Sequence, residues 1–278
     1  MANSGNNLRP TIVLLHGFAQ HPDAWDAVAA LLREAGWSVR TLDLMTEACS
    51  ELGGSPLNSF EAIEAGMSAV CTALAKRLHA IRREAGVPAV LAGYSLGGRL
   101  ALEAVQRAAA AGDPIRLSAL ILESANPGPV NGAEREALRQ RNHAWAERVR
   151  SQGVPQFMDW WASLPLFYSQ RALPPDVREK LREGRCGNDE DSLVFQFEAW
   201  GQHRQALRAD ALSFLAHAAQ AYPVAFFAGA QDEKYRAVAL GMMAAARSVD
   251  VRIFPDVGHN VHLEDPAAFV AALLDVLR

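Results

Sequence analysis

Short runs rich in apolar residues recur along this chain, and most give way to Gly, Asp, Glu or His. Residues 11–15, 37–42, 87–91, 117–122, 224–227 and 251–254 are such runs. They are too short for helices and predict strands, and 11–15 and 87–91 are apolar enough to predict strands buried in a parallel sheet. Between them lie stretches of helical composition: 23–35, ended by Gly36; a long one over 59–84; 99–111; and 234–246. Strands alternating with helices predict an α/β fold, a mostly parallel sheet with helices on both faces. Residues 46–57 are rich in Gly, Ser and Pro and read as a loop. From 127 to about 214 the alternation stops. No convincing strand is present there, helix formers dominate, and Trp145, Trp160, Trp161 and Trp200 all fall within it. An inserted helical lid is expected over the C-terminal ends of the strands, where open α/β sheets bind ligands. The alternative is a helical decoration that serves stability alone. The division is 1–126 for the first part of the core, 127–214 for the lid and 215–278 for the second part. There is no internal repeat and no low-complexity tract.

Composition narrows the function classes. Half of the 278 residues are apolar and the net charge is −4. The length suits one α/β domain with an inserted subdomain. The charge gives no reason to expect nucleic acid or an anionic membrane as partner. Cys49, Cys71 and Cys186 are too scattered for a metal-ligand pattern or a disulfide framework and read as free thiols of a reducing compartment. Residues 1–10 are polar and lack the apolar segment of a signal peptide, and no run approaches the roughly 18 apolar residues of a membrane span. A soluble cytoplasmic protein, monomeric or a small homo-oligomer, is expected.

Candidate chemistry sits at the ends of the strands. After the run 87–91 stands Gly93-Tyr94-Ser95-Leu96-Gly97, and a helix follows. Gly-x-Ser-x-Gly between strand and helix is the nucleophile-elbow pattern, which lifts a serine above the sheet edge at a helix N-terminus. A serine hydroxyl needs a histidine to take its proton, and the histidine needs an acid to orient it. In this architecture the order along the chain is serine, acid, histidine. Asp232 lies just past the fifth run and His259 just past the sixth, so both loops open on the edge that carries Ser95. Asp232 could equally cap the helix that follows, and His262 competes with His259. Gly258, which allows a sharp turn directly after the strand, favours His259. An oxyanion hole needs two backbone N–H donors. Leu96 follows the serine, and Phe18 follows His16-Gly17 after the first strand. Arg99 stands in the first turn of the elbow helix, where a cation opposes the dipole, so an anionic ligand or a structural carboxylate must compensate it. No Gly-rich phosphate loop, metal-ligand spacing or flavin fingerprint occurs, so no cofactor and no metal is expected.

These stretches together resemble the α/β-hydrolase superfamily. Within it, the chain resembles the family of 2-succinyl-6-hydroxy-2,4-cyclohexadiene-1-carboxylate synthases, lyases of menaquinone synthesis. The resemblance covers most of the chain and rests above all on Gly93 to Arg99, with Glu123-Ser124-Ala125-Asn126-Pro127-Gly128, Arg185-Cys186-Gly187-Asn188, Asp232-Glu233-Lys234-Tyr235 and Gly258-His259-Asn260-Val261-His262. It implies that the activated serine abstracts a proton, that pyruvate is eliminated, and that arginines hold the carboxylates of a small anionic substrate. Carried onto this chain, it points to Arg99, to Arg185 and Arg139 in the lid, to Trp160 as an apolar wall and to Tyr94 beside the serine. Arg135 competes with Arg139 in that alignment. The chain departs from the family at Asp43-Leu44-Met45-Thr46-Glu47, where a Pro-Gly-His-Gly loop often stands. Two other readings share the serine, acid and histidine. One is a serine hydrolase acting on a small ester or a C–C bond, and the other is a non-catalytic small-molecule sensor. Arg99 with Arg185 separates the lyase from the esterase, because a neutral ester needs no cationic pocket.

Overall fold

The structure, a computed structural model, describes residues 8–278. Residues 1–7, most of the polar stretch read above as carrying no signal segment, lie outside the described residues. Six strands form one sheet: β1 (Ile12–Leu15), β2 (Val39–Leu42), β3 (Ala89–Tyr94), β4 (Leu117–Glu123), β5 (Val224–Gly229) and β6 (Asp250–Phe254). Their order across the sheet is β2-β1-β3-β4-β5-β6, and every neighbouring pair is parallel. Each predicted run is one of these strands.

Successive residues of a strand point to opposite faces, and here both faces are apolar. Val13, Leu15, Leu91, Leu120, Leu122 and Phe226 enter one core cluster, while Ile12, Leu14, Val90, Ala92, Ile121 and Phe227 enter another. The first face is covered by α3 (Phe60–Ala85) and α4 (Leu96–Ala110), the second by α1 (Asp26–Glu34) and the C-terminal α12 (Pro266–Val276). Ser59 caps α3 by accepting from the Ala62 N–H, and Gly86 ends it in the left-handed region, φ 73°.

Two local expectations change. The stretch 23–35 is a 3₁₀ turn, Pro22–Trp25, leading into α1. The stretch read as a loop from 46 begins as a short helix, α2 (Leu44–Cys49), because the Asp43 side chain accepts from the Thr46 N–H and caps it. Gly53, Gly54 and Pro56 come only after that helix has ended.

Between β4 and β5 the described residues contain no strand. The chain runs through α5 (Gly132–Gln152), α6 (Val154–Ala162), a 3₁₀ segment (Pro165–Ala172), α7 (Pro175–Cys186), α8 (Glu190–Ala199) and α9 (Arg208–Ala218). This insertion has an apolar cluster of its own, with Ala146, Val149, Phe157, Met158, Leu193 and Phe197 packed together with Ala19 from the loop after β1. After β5 and β6 come α10 (Glu233–Ala245) and α11 (Val261–Glu264). Among the described residues no helix is long and apolar enough to cross a membrane, and Cys49, Cys71 and Cys186 are free thiols.

Candidate active site

Ser95 occupies the turn between β3 and α4 with φ 49° and ψ −105°, a conformation that non-glycine residues rarely adopt. Its N–H donates to the carbonyl of Glu123 at the end of β4, 2.8 Å away, which anchors the turn. The turn also needs α4 to come very close to β1. A Cβ on Gly97 would lie 2.4 Å from the Leu15 carbonyl oxygen, so only glycine fits there. Ser95 remains half-buried and lines a cavity at the C-terminal edge of the sheet.

Asp232 and His259 complete the group. His259 Nε2 lies 3.2 Å from Ser95 Oγ, and His259 Nδ1 lies 2.6 Å from Asp232 Oδ2. The side chains of both His259 and Asp232 are only 2% exposed, so water does not compete for that bond. Asp232 also caps α10, its Oδ1 accepting from the Tyr235 N–H at 3.0 Å. The helix cap and the contact with His259 are therefore compatible: one carboxylate oxygen caps the helix and the other meets the histidine. His262 is elsewhere. Its Nδ1 and N–H both reach the Glu123 carboxylate, at 2.7 and 3.0 Å, and its ring stacks on Trp25 with centroids 3.7 Å apart.

The loop after β1 is held by its neighbours. The Gly17 N–H donates to Gln20 Oε1 and the Ala19 N–H to Gln196 Oε1. The intervening Phe18 N–H, and the Leu96 N–H at the start of α4, have no protein acceptor among the described residues. Both residues line the cavity.

His16 pins the base of this loop. Its Nδ1 lies 3.0 Å from the Gly17 carbonyl oxygen, and its Nε2 accepts from the Leu44 N–H at 3.2 Å. Burial pulls its pKa down from 6.5 to about 4. The unfolded chain therefore takes up a proton that the folded one refuses, and this stabilisation is full above pH 6.5 and lost as the pH falls toward 4. Unfolding free energy should drop by about 2 kcal/mol between pH 7 and pH 5 on account of this residue alone. Urea titrations of wild type and His16→Gln at both pH values check this: an equal drop in the two proteins contradicts it.

Arg99, Arg141, Arg185 and Lys234 also line the cavity, among mostly aromatic and other apolar side chains. Arg99 is 9% exposed; its Nη1 donates to the Trp200 carbonyl at 2.9 Å and to Gln205 Oε1 at 3.2 Å. Burial pulls its guanidinium down to about 10. Arg185 Nη2 donates to Gln170 Oε1 at 3.2 Å, and its buried Nε has no partner. Arg141 Nη2 donates to Asn142 Oδ1 at 3.2 Å and lies over the Trp145 ring. Burial lowers the pKa of Arg185 and Arg141 as well. Among the described residues none of these three forms a salt bridge, so the carboxylate partner considered for Arg99 is not supplied by the protein. Tyr94 is buried beside them on the cavity wall.

Two sequence assignments are corrected. Arg139 lies outside the cavity on the solvent side of α5, 56% exposed and paired with Glu136 at 2.7 Å. Arg141 is the cavity arginine of that helix. Leu138, Asn142, Ala146 and Val149 are buried on α5, and Glu134, Arg141, Trp145 and Arg148 are half-buried along one flank of that stripe, so the arc that faces the cavity extends toward Arg141, while Arg139 lies exposed past the other flank. Trp145, one turn after Arg141, was the available signal. Trp160 likewise lies behind the wall, under the Arg148 guanidinium, 3.9 Å from the ring centroid. Trp161 and Trp145 form the wall, with Trp161 4.8 Å from the Phe18 ring. Sequence reasoning also passed over Gln20, Phe167 and Gln196, which line the cavity.

Known proteins share the fold of this chain. The model of the alpha/beta hydrolase family matches residues 12–272. The chain belongs to that family. Within it, this hydrolase-fold chain is 31% identical over 269 residues to 2-succinyl-6-hydroxy-2,4-cyclohexadiene-1-carboxylate synthase of Serratia proteamaculans (strain 568), covering 97% of this chain and 93% of the relative. The protein of the same name from Escherichia coli O1:K1 / APEC is 30% identical over 277 residues, covering 100% and 97%. The family resemblance read from the sequence is therefore correct. Among solved structures, MenH from S. aureus superposes with a TM-score of 0.81 at 25% identity, covering 99% of this chain and 96% of that one. A thermophilic esterase from Thermogutta terrifontis reaches 0.68 at 23% identity, covering 97% and 90%, a likeness of fold alone.

Proposed function

We propose that this protein is a carbon–oxygen lyase that eliminates pyruvate from a succinylated cyclohexene carboxylate in menaquinone biosynthesis. The observation that carries the reading is the pairing of a Ser95–His259–Asp232 relay with three cavity arginines, Arg99 and Arg185 buried and Arg141 half-buried, that have no carboxylate partner among the described residues. A hydrolase of neutral esters has no use for such cations. A substrate bearing several carboxylates offsets their desolvation. The relatives' name supplies the particular substrate.

In this reading the three residues form a catalytic triad. His259 Nε2 takes the Ser95 proton, and Asp232 holds the ring and stabilises the imidazolium. The serine oxygen then takes a proton from a substrate carbon. Electrons of that C–H bond form the new double bond, the C–O bond breaks with its electron pair leaving on the enolate of pyruvate, and the proton held by His259 passes to that enolate, which gives pyruvate and restores the neutral imidazole. Negative charge grows on the substrate carbonyl, which the free N–H groups of Phe18 and Leu96 stabilise as an oxyanion hole. Arg99 and Arg141 hold carboxylates from the sheet side and the first helix of the insertion, and Arg185 holds one from α7. We read residues 127–214 as the lid that excludes water from this step. Free thiols suit a reducing compartment such as the cytoplasm.

Quenched turnover followed by mass spectrometry of the Ser95 peptide tests the mechanism. Proton abstraction predicts pyruvate formation with Ser95 unmodified. Accumulation of an acyl group on Ser95 with this substrate would instead establish the hydrolase route.

A further inference from the structure

The loop that carries His259 is held from both sides by one carboxylate. Glu264 Oε2 accepts from the Gly258 N–H at 2.7 Å, and Glu264 Oε1 accepts from the Asn260 N–H at 3.3 Å. These are the amides immediately before and after the histidine. Glu264 Oε1 also accepts from Ser169 Oγ at 3.0 Å, and Ser169 belongs to the 3₁₀ segment Pro165–Ala172 of the insertion. The contact is tight, since a Cβ on Gly258 would lie 2.8 Å from Ser169 Cβ. The same segment reaches the anion-binding side of the cavity. Gln170 Oε1 accepts from Arg185, and the Phe167 ring lies 5.0 Å from the Arg185 guanidinium and edge-on to the His259 ring, centroids 5.8 Å apart.

We propose that Glu264 is a positioning residue for His259, and that Ser169 makes this positioning depend on how the Pro165–Ala172 segment is seated beside Arg185. Substrate bound at Arg185 and a correctly aimed histidine are then parts of one arrangement. The inference rests on His259 being the base that activates Ser95. A carboxylate suits this position because each of its oxygens accepts. Glutamine at 264 keeps the shape but turns an NH2 group toward one of the two amides, which removes one of the bonds and leaves the other without charge assistance.

The experiment compares Glu264→Gln, Ser169→Ala and their double variant with wild type and His259→Ala. Three readouts are taken: steady-state pyruvate release, the rate of Ser95 labelling by a small fluorophosphonate, and the downfield proton resonance of the His259–Asp232 hydrogen bond. The fluorophosphonate carries no carboxylate, so it reports serine activation without engaging the arginines. Glu264→Gln should lower kcat and the labelling rate together by about tenfold, with KM moved less than twofold. Ser169→Ala should lower both by a few fold at an unchanged melting temperature. The double variant should lose no more than Glu264→Gln alone, because both act through one loop. The downfield resonance should shift or broaden in every one of these variants, which a contribution to stability alone would not cause. Should Glu264→Gln and Ser169→Ala match wild type in labelling rate and resonance while His259→Ala loses both activities, the inference is wrong and the base assignment stands. Retained activity in His259→Ala would overturn both together.

Discussion

Turnover falls by several orders of magnitude when Ser95→Ala, His259→Ala or Asp232→Asn is introduced, and the losses do not add. The account predicts about 10⁴-fold or more for each, the scale known for triads in which one member is removed. Non-additivity follows from the geometry. The 3.2 Å contact between Ser95 and His259 and the 2.6 Å contact between His259 and Asp232 form one chain, so breaking either end disables the whole. Asp232→Asn is the subtlest of the three. An amide can still cap α10 through its oxygen, but it then presents NH2 to His259 Nδ1 and favours the wrong tautomer. Circular dichroism should therefore remain native while kcat collapses. His262→Ala supplies the contrast, since it disturbs the Glu123 and Trp25 contacts but leaves a wild-type relay. If His262→Ala abolished turnover in a folded protein and His259→Ala did not, the histidine assignment would be reversed.

The second large effect concerns charge. Arg99→Ala and Arg185→Ala should each lower kcat/KM for the anionic substrate by about ten- to two-hundred-fold, the range of one charge-assisted contact. Arg141→Ala should behave alike. Arg139→Ala should stay within about twofold, because exposed pairs such as that with Glu136 contribute little. Lysine at 99 should restore only part of the loss, since an ammonium lacks the planar fork that meets a carboxylate with two parallel bonds. Raising the salt should weaken substrate binding less than it would at an open surface, because Arg99 and Arg185 are buried. Full activity in Arg99→Ala and Arg185→Ala would refute the carboxylate-binding role of both.

The four central strands were legible from the sequence because a strand covered on both faces has almost no polar positions to disguise it, whereas the edge strands β2 and β6, which carry Arg40, Asp250 and Arg252, were legible from their place in the alternation with helices. The order of Ser95, Asp232 and His259 was legible because each follows directly on such a run. Legibility ended where helices meet solvent. Arg139 and Arg141 are two residues apart, so they point to nearly opposite sides of α5, and the cavity lies on the side of Arg141 and Trp145, one turn further on. The exchange of Trp160 for Trp161 has the same origin in α6, where adjacent bulky residues offer no periodic signal. Helix α2 was hidden by the glycines beyond it, although Asp43 three residues before Thr46 is an N-cap pattern. The role of Glu264 had no sequence signal at all. It depends on a contact with Ser169, 95 residues away.

The central claim, a lyase and not an esterase, is tested most directly by giving the purified protein two substrates side by side. One is the succinylated cyclohexene carrying its enolpyruvyl group, and the other is a neutral nitrophenyl ester. Pyruvate release and nitrophenol release are followed under identical conditions. The account predicts rapid pyruvate release that is lost in Ser95→Ala and Arg99→Ala, with ester cleavage slower by orders of magnitude and indifferent to Arg99→Ala. Efficient nitrophenol release with no pyruvate formed would contradict it.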